Sequence, residues 1–183
     1  MVRIFIDNHY AFTIPQEDYI RNCLYEAEEI TEEQLDHIRR TVLVRAAKER
    51  GLRYLLVRDR SEGEIIRKLT EAGFDPEIAR GAADALKALG YLNDSRYAMR
   101  YLAERVKTKS LSKKALRYEL EQKGIDRDII DSALSEYETS DGEVALRAVR
   151  KKFGKYDLHD QKVEKKILNF LFHRGFSFET SQQ

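Results

Sequence analysis

Cysteine, proline and tryptophan are scarce: the 183 residues include one Cys, two Pro and no Trp. A lone cysteine, Cys23, excludes an internal disulfide framework. It reads as a small buried side chain on a helix rather than as a reactive thiol. Two prolines and nine glycines leave too little turn chemistry for a sandwich or a barrel. No apolar run approaches the roughly 18 residues that a membrane span needs. The opening Met-Val-Arg-Ile-Phe-Ile-Asp has neither the basic stretch nor the long apolar stretch of a secretory signal, so a cytoplasmic location is expected.

Catalytic patterns are missing too. His9, His37, His159 and His173 are scattered, with no zinc-like spacing and no cysteine pair, so they read as surface or boundary residues. Neither a metal site nor a cofactor is expected. Gly154-Lys155 is followed by Tyr156 rather than Ser or Thr, and Val149 stands five before Gly154, so no phosphate-binding loop forms there. No nucleophile elbow or Gly-rich dinucleotide fingerprint occurs. An enzyme reading is left without a catalytic residue.

What is present suits helices: 42% of residues are apolar, 36% are charged, and ten Tyr with eight Phe are available for packing. The net charge of +1 hides an asymmetry. Residues 17–36 carry eight acids (Glu28 among them) against Arg21 alone, whereas 100–117 carry seven bases against Glu104 alone, and 147–166 eight bases against three acids. Charge segregated in this way favours an acidic partner.

A repeat organises the chain. Glu64 to Phe74, Ala115 to Ile125 and Lys166 to Phe176 align without gaps, and their glycines Gly73, Gly124 and Gly175 are 51 residues apart. Leu69, Leu120 and Leu171 stand four before each glycine; Ile65, Leu116 and Ile167 stand eight before; Phe74, Ile125 and Phe176 stand one after. Positions −8 and −4 share a helix face, and the glycine supplies a left-handed helix end. The apolar residue beyond it folds back onto the last turn.

A further helix follows in two copies. Asp75-Pro76 reads as its start in the first, leading into Ile78, Ala82, Ala85, Leu86 and Leu89, and Asp126 in the second. Amphipathic stretches at Leu52–Val57, Tyr97–Leu102 and Val144–Val149 precede the glycine helices. Ser61–Glu64 and Ser140–Glu143 read as capping boxes, Asp94 and Ser112 as N-caps. Tyr97, Tyr101, Tyr118, Phe170 and Phe172 fall at helical spacing and read mostly as core.

The predicted fold is all-α: tandem three-helix repeats in a curved, elongated stack, after a small N-terminal β-hairpin and helical segment. Repeats cover 51–93, 94–139 and 140–183, behind a lead-in at 1–50. Only eight residues follow Gly175, so the last helix of the third repeat is short or missing. In the lead-in, Val2–Ile6 and Tyr10–Ile14 alternate around Asp7-Asn8. A helix starts near Gln16, and a capping box at Thr31–Gln34 opens another towards Lys48.

The basic residues form the candidate site. Arg96, Arg100, Arg105, Lys107, Lys109, Lys113, Lys114 and Arg117 lie in the second repeat; Lys151, Lys152, Lys155, Lys162 and Lys166 lie in the third. Like charges four apart (Arg96/Arg100, Lys113/Arg117, Arg147/Lys151, Lys162/Lys166) disfavour a helix slightly. Glu104, Glu121 and Glu143, one turn away, relieve part of that cost. On a repeat protein the bases would form a stripe along an extended binding surface. Charge alone does not choose between an acidic protein and nucleic acid, the latter held by helix-turn-helix-like modules.

Gly90-Tyr-Leu-Asn-Asp-Ser-Arg-Tyr-Ala98, with Arg58-Asp-Arg-Ser61, Glu119 to Ile125 and Phe170-Leu-Phe-His-Arg-Gly-Phe-Ser177, closely resembles the RecX family from about Gly51 to Ser177. Ser112-Lys113 departs from the glycine, often with proline, of that pattern, and the tail after Ser177 is short. The resemblance implies a non-enzymatic regulator that binds the RecA recombinase on single-stranded DNA; a monomer with at most weak direct DNA binding is expected. The resemblance further implies contact with neighbouring protomers in the filament groove, restraining filament growth, ATPase and strand exchange.

Overall fold

The computed structural model describes residues 1–27, 29–157 and 160–182, which excludes Glu28 and His159. The fold is mostly helical, with three-helix repeats behind a small two-stranded sheet. It divides into two compact units, Met1–Asn93 and Asp94–Gln183.

In the first unit, β1 (Val2–Ile6) pairs antiparallel with β2 (His9–Ile14). Asp7 and Asn8 both take positive φ, 50° and 62°, the geometry of a tight hairpin turn. Ile6 faces His9 and Ile4 faces Phe12, with an irregularity between Ile4 and Phe5. Alternation sends Phe12 and Ile14 into the core, both fully buried, whereas Phe5 and Tyr10, paired beyond the irregularity, are exposed. That docking stabilises a hairpin that would be marginal alone.

α1 (Gln16–Arg21) follows, and Asp18 on it is buried against Arg45 (2.6 Å) and Arg21 (3.3 Å). Cys23 is neither helical nor buried, contrary to expectation. It is exposed in a left-handed turn (φ 51°) just beyond α1. α2 (Glu32–His37) opens on the capping box of Thr31 and Gln34, then passes through a π-helical segment, Ile38–Leu43, into α3 (Val44–Val57). The helix does not end near Lys48. Gly51 carries it on, because α3 packs so closely on the next helix but one that a Cβ there would meet Leu86 Cδ1 at 2.7 Å. α4 (Glu62–Glu71) and α5 (Pro76–Ala88) complete the unit. Leu89, predicted on the apolar face of α5, is exposed, since the helix stops there and the chain turns at Gly90 (φ 77°). Leu56 and Val57 are exposed as well, at the end of α3.

The second unit holds α6 (Asp94–Lys109), α7 (Lys113–Glu121), α8 (Arg127–Glu136), α9 (Asp141–Phe153), α10 (Gln161–Phe172) and α11 (Phe178–Gln182). One continuous apolar core runs from Ala98 through Leu120, Ile130 and Val144 to Phe176, so its two repeats are packed together. The third repeat does have its last helix. Ser177 starts α11 by accepting from Thr180 N–H at 3.2 Å, and Phe178 stacks on Phe172 with 6.5 Å between ring centroids.

The three repeated glycines do what their spacing predicts. Gly73, Gly124 and Gly175 have φ of 96°, 75° and 79°. Phe74, Ile125 and Phe176 donate their N–H to the carbonyls of Leu69, Leu120 and Leu171 at 3.1, 3.3 and 3.2 Å, and all six side chains are buried. This is the Schellman arrangement, in which a C-terminal apolar pair closes the helix end. Ser61 and Ser140 form complete capping boxes, and Ser112 caps α7.

Other caps differ from expectation. Asp94 lies within the first turn of α6 rather than ahead of it. Asp75 and Asp126 occupy N-cap positions, but neither carboxylate makes a capping hydrogen bond. Asp75 instead accepts from the Tyr10 hydroxyl at 2.9 Å, tying the hairpin to the repeat.

Candidate partner-binding surface

The α6–α7 turn is built from repeat-to-repeat contacts. Ser112 is fully buried; its N–H donates to the Arg174 carbonyl (3.0 Å) and its Oγ accepts from Ala115 N–H (3.1 Å). The next N–H, of Lys113, donates to the Asp141 carboxylate on α9 (2.8 Å). A buried hydroxyl and a carboxylate at the start of α7 suit its positive dipole end. The Ser112 departure from the family pattern therefore serves as a cap.

Two predicted site residues are spent inside the fold. Lys113 Nζ donates to the carbonyls of Tyr137 (2.9 Å) and Leu134 (3.3 Å), closing the C-terminus of α8. Arg117 pairs with Asp131 on α8. Both side chains are half-buried, so sequence charge overstated what they present outward.

Arg105 and Lys109 converge on Glu119 of α7. Arg105 Nε lies 3.0 Å from Glu119 Oε2, off the line a hydrogen bond requires, and Lys109 Nζ lies 3.8 Å from Oε1. The Tyr101 hydroxyl donates to the same Oε2 at 2.6 Å. Burial pushes the Tyr101 phenol up to about 12, and the hydrogen bond to Glu119 adds to the shift. Arg105 also sits over the Tyr101 ring at 4.8 Å. Lys123 covers Tyr101 at 5.0 Å and Tyr97 at 5.7 Å. Tyr97 and Tyr101 are accordingly half-buried, and Phe170 is core as expected, but Tyr118 and Phe172 are exposed.

Lys152 and Lys166 are brought together across α9 and α10. They line a concavity of about 490 Å³ with Phe153, Phe170, His173 and Arg174. Lys152 Nζ lies 4.3 Å, and the Arg174 guanidinium 3.8 Å, from the Phe170 ring centre. Arg174 Nε donates to the Lys109 carbonyl at 3.0 Å, so this group adjoins the end of α6. Burial lowers the Arg174 pKa. The remaining predicted bases, Arg96, Arg100, Lys107, Lys114, Lys151, Lys155 and Lys162, are exposed along α6, α7, α9–α10 and the turn between them.

Sequence reasoning missed Arg174 and Lys123. A base in the last turn before a helix-ending glycine was the available signal for Arg174. In the first unit it also missed Tyr54, over which Arg50, Arg60 and Lys68 lie at 5.5, 5.9 and 5.7 Å. Among the described residues no His, Cys, Asp and Glu group is suited to a metal ion, and no helix is long and apolar enough to cross a membrane.

Helical repeats that spend their polar chemistry on caps, and their surface on segregated charge, belong to the class of repeat proteins suited to binding along an extended surface. Comparison with known proteins makes it specific. Models of the first, second and third three-helix domains of RecX match residues 47–86, 93–134 and 140–183. The regulatory protein RecX of Clostridium acetobutylicum is 30% identical over 97% of this chain and 85% of its own. That of Prosthecochloris aestuarii is 34% identical over 76% and 91%. A crystal structure of a regulatory protein RecX superposes with a TM-score of 0.70 at 28% identity, covering 98% of this chain and 92% of the other. RecX from Lactobacillus salivarius, at 24% identity and a TM-score of 0.64 over 76% and 92%, shares the fold. The chain belongs to the RecX family of regulatory proteins.

Proposed function

We propose that this chain, as a cytoplasmic monomer, binds the RecA recombinase filament on single-stranded DNA and restrains its assembly, ATPase and strand exchange. The repeats at 51–93, 94–139 and 140–183 engage neighbouring protomers, and the bases of the last two make the main contact. The observation that carries this reading is the run of exposed Lys and Arg in a unit folded around one core. Exposed cations clustered on one unit project a positive field outward. Such a field steers an acidic surface into register. Restraint then follows if the chain binds one filament state more tightly than another.

The test is recombinase ATPase on single-stranded DNA, titrated with wild type and with Lys107→Glu/Lys114→Glu/Lys151→Glu. These side chains are exposed and outside the contacts that hold the unit together. The half-inhibitory concentration should rise about tenfold, as expected when several steering charges are reversed. An unchanged curve removes the surface assignment. Tight binding to naked DNA by a wild type that leaves the recombinase unaffected favours the helix-turn-helix reading instead.

A further inference from the structure

The concavity between α9 and α10 has a composition that the charge pattern alone did not disclose. Its floor is Phe153, Val163 and Phe170, all buried, and its rim carries Lys152, Lys166 and Arg174. No carboxylate is among its described lining residues, and none of those three cations has a carboxylate partner among the described residues. Close cations without an internal counter-ion attract an anion from outside, and a low-dielectric apolar floor strengthens the attraction.

We propose that this pocket is the anchor site for an acidic segment of the partner protein, taking one apolar side chain flanked by carboxylates. The inference rests on the reading of this unit as a partner-binding surface. The floor decides between protein and nucleic acid. A base needs an open ring to stack on. Phe170 is covered by Arg174 and Lys152 at 3.8 and 4.3 Å, and Phe153 meets it edge-on, with ring centroids 5.4 Å apart. The exposed rings among the described lining residues, Tyr156 and His173, belong to the rim and not to the floor. A partner side chain needs no open ring face, only the apolar edges that the cations leave uncovered, and its neighbouring carboxylates pair with Lys152, Lys166 and Arg174. A side chain buried in a pocket, ringed by contacts that exclude water, is the usual build of a strong interface centre.

The experiment uses the full chain and fluorescence anisotropy, with two probes: a fluorescein-labelled peptide holding one phenylalanine between glutamates, and labelled oligothymidylate. Asn169 lines the pocket and is exposed, so Asn169→Trp fills the space without changing charge. The peptide should bind wild type and lose about tenfold in affinity with either Lys166→Glu or Asn169→Trp, the size of effect typical of one interface anchor. Oligothymidylate binding should be untouched by Asn169→Trp. A peptide that ignores wild type, or binds Asn169→Trp equally well, overturns the proposal, as does a loss confined to oligothymidylate. Peptide failure alongside intact ATPase inhibition removes this pocket alone. Absence of inhibition by wild type removes the function proposed above.

Discussion

Gly73 in the first unit and Gly175 in the second end equivalent helices in the same left-handed turn, yet their surroundings differ. A Cβ on Gly73 would touch nothing nearer than Thr13 Cγ2, at 3.7 Å. On Gly175 it would meet Ala115 Cβ and Ser112 Oγ, both at 2.8 Å. One glycine is needed for its backbone angle; the other is needed also because two repeats touch there. Equal sequence signals can thus carry unequal structural weight, and the difference lies in what another repeat places opposite.

The largest effect should come from breaking the shared core. Leu69→Ala and Leu120→Ala each remove a fully buried side chain, at about 2–5 kcal/mol. Hydrogen exchange should separate them. Leu120→Ala should raise exchange in α9 and α10 as well as in α7 and α8, because both repeats line one core. Leu69→Ala should leave all four unaffected. Loss of protection confined to α7 and α8 would show that the two repeats of the second unit are energetically separate.

Replacement of the two glycines sharpens the contrast directly. Gly73→Ala should cost about 1 kcal/mol, the penalty of a left-handed alanine. Gly175→Ala should cost about 2–4 kcal/mol, since crowding against the Ala115 methyl and a buried hydroxyl is added. Urea midpoints read this, and equal costs would refute the crowding argument.

Ion pairs should rank next. Asp18 has only 8% of its side chain accessible, whereas Arg117 and Asp131 have 40% and 57%. Asp18→Ala should therefore destabilise the first unit by about 1–3 kcal/mol, allowing for the part-exposed Arg45. Arg117→Ala should cost the second unit less than about 1 kcal/mol. The reverse order in thermal unfolding would contradict the burial assignment.

The smallest effect is a pH dependence. The Tyr101 phenol titrates near 12 in the fold, against about 10 in an unfolded chain. The folded state thus retains a proton that the unfolded state loses, so its contribution is complete below pH 10 and fades as pH rises towards 12. Tyr101→Phe should flatten the alkaline fall in stability, measured by urea unfolding across that range. An unaltered fall would show that neither burial nor the bond to Glu119 holds the Tyr101 proton in the fold.

Local signals explain how much was legible in advance. The hairpin turn at Asp7-Asn8, the three glycine helix ends and the serine caps each depend on a few neighbouring residues. Their geometry is dictated before any distant contact forms. Cys23 was misplaced because nothing local marks the left-handed turn it occupies. The helix expected to run towards Lys48 continues to Val57, and only the packed fold shows that Gly51 lies where its missing side chain admits Leu86. Site residues were the least legible: Lys113, Arg117 and Lys152 look alike as charges, and only their contacts separate a helix cap, an ion pair and a pocket wall.

The amino-acid order by itself determined the repeat, its period, the helix faces and the segregation of charge, because apolar spacing and left-handed glycines act within a single helix. Tertiary structure decided which charges remain outward, since a carbonyl or carboxylate from another helix must arrive to engage them. It also decided that α9 and α10 line a cationic pocket, because Arg174 is held there over Phe170 and against the backbone of Lys109, 65 residues away in the chain.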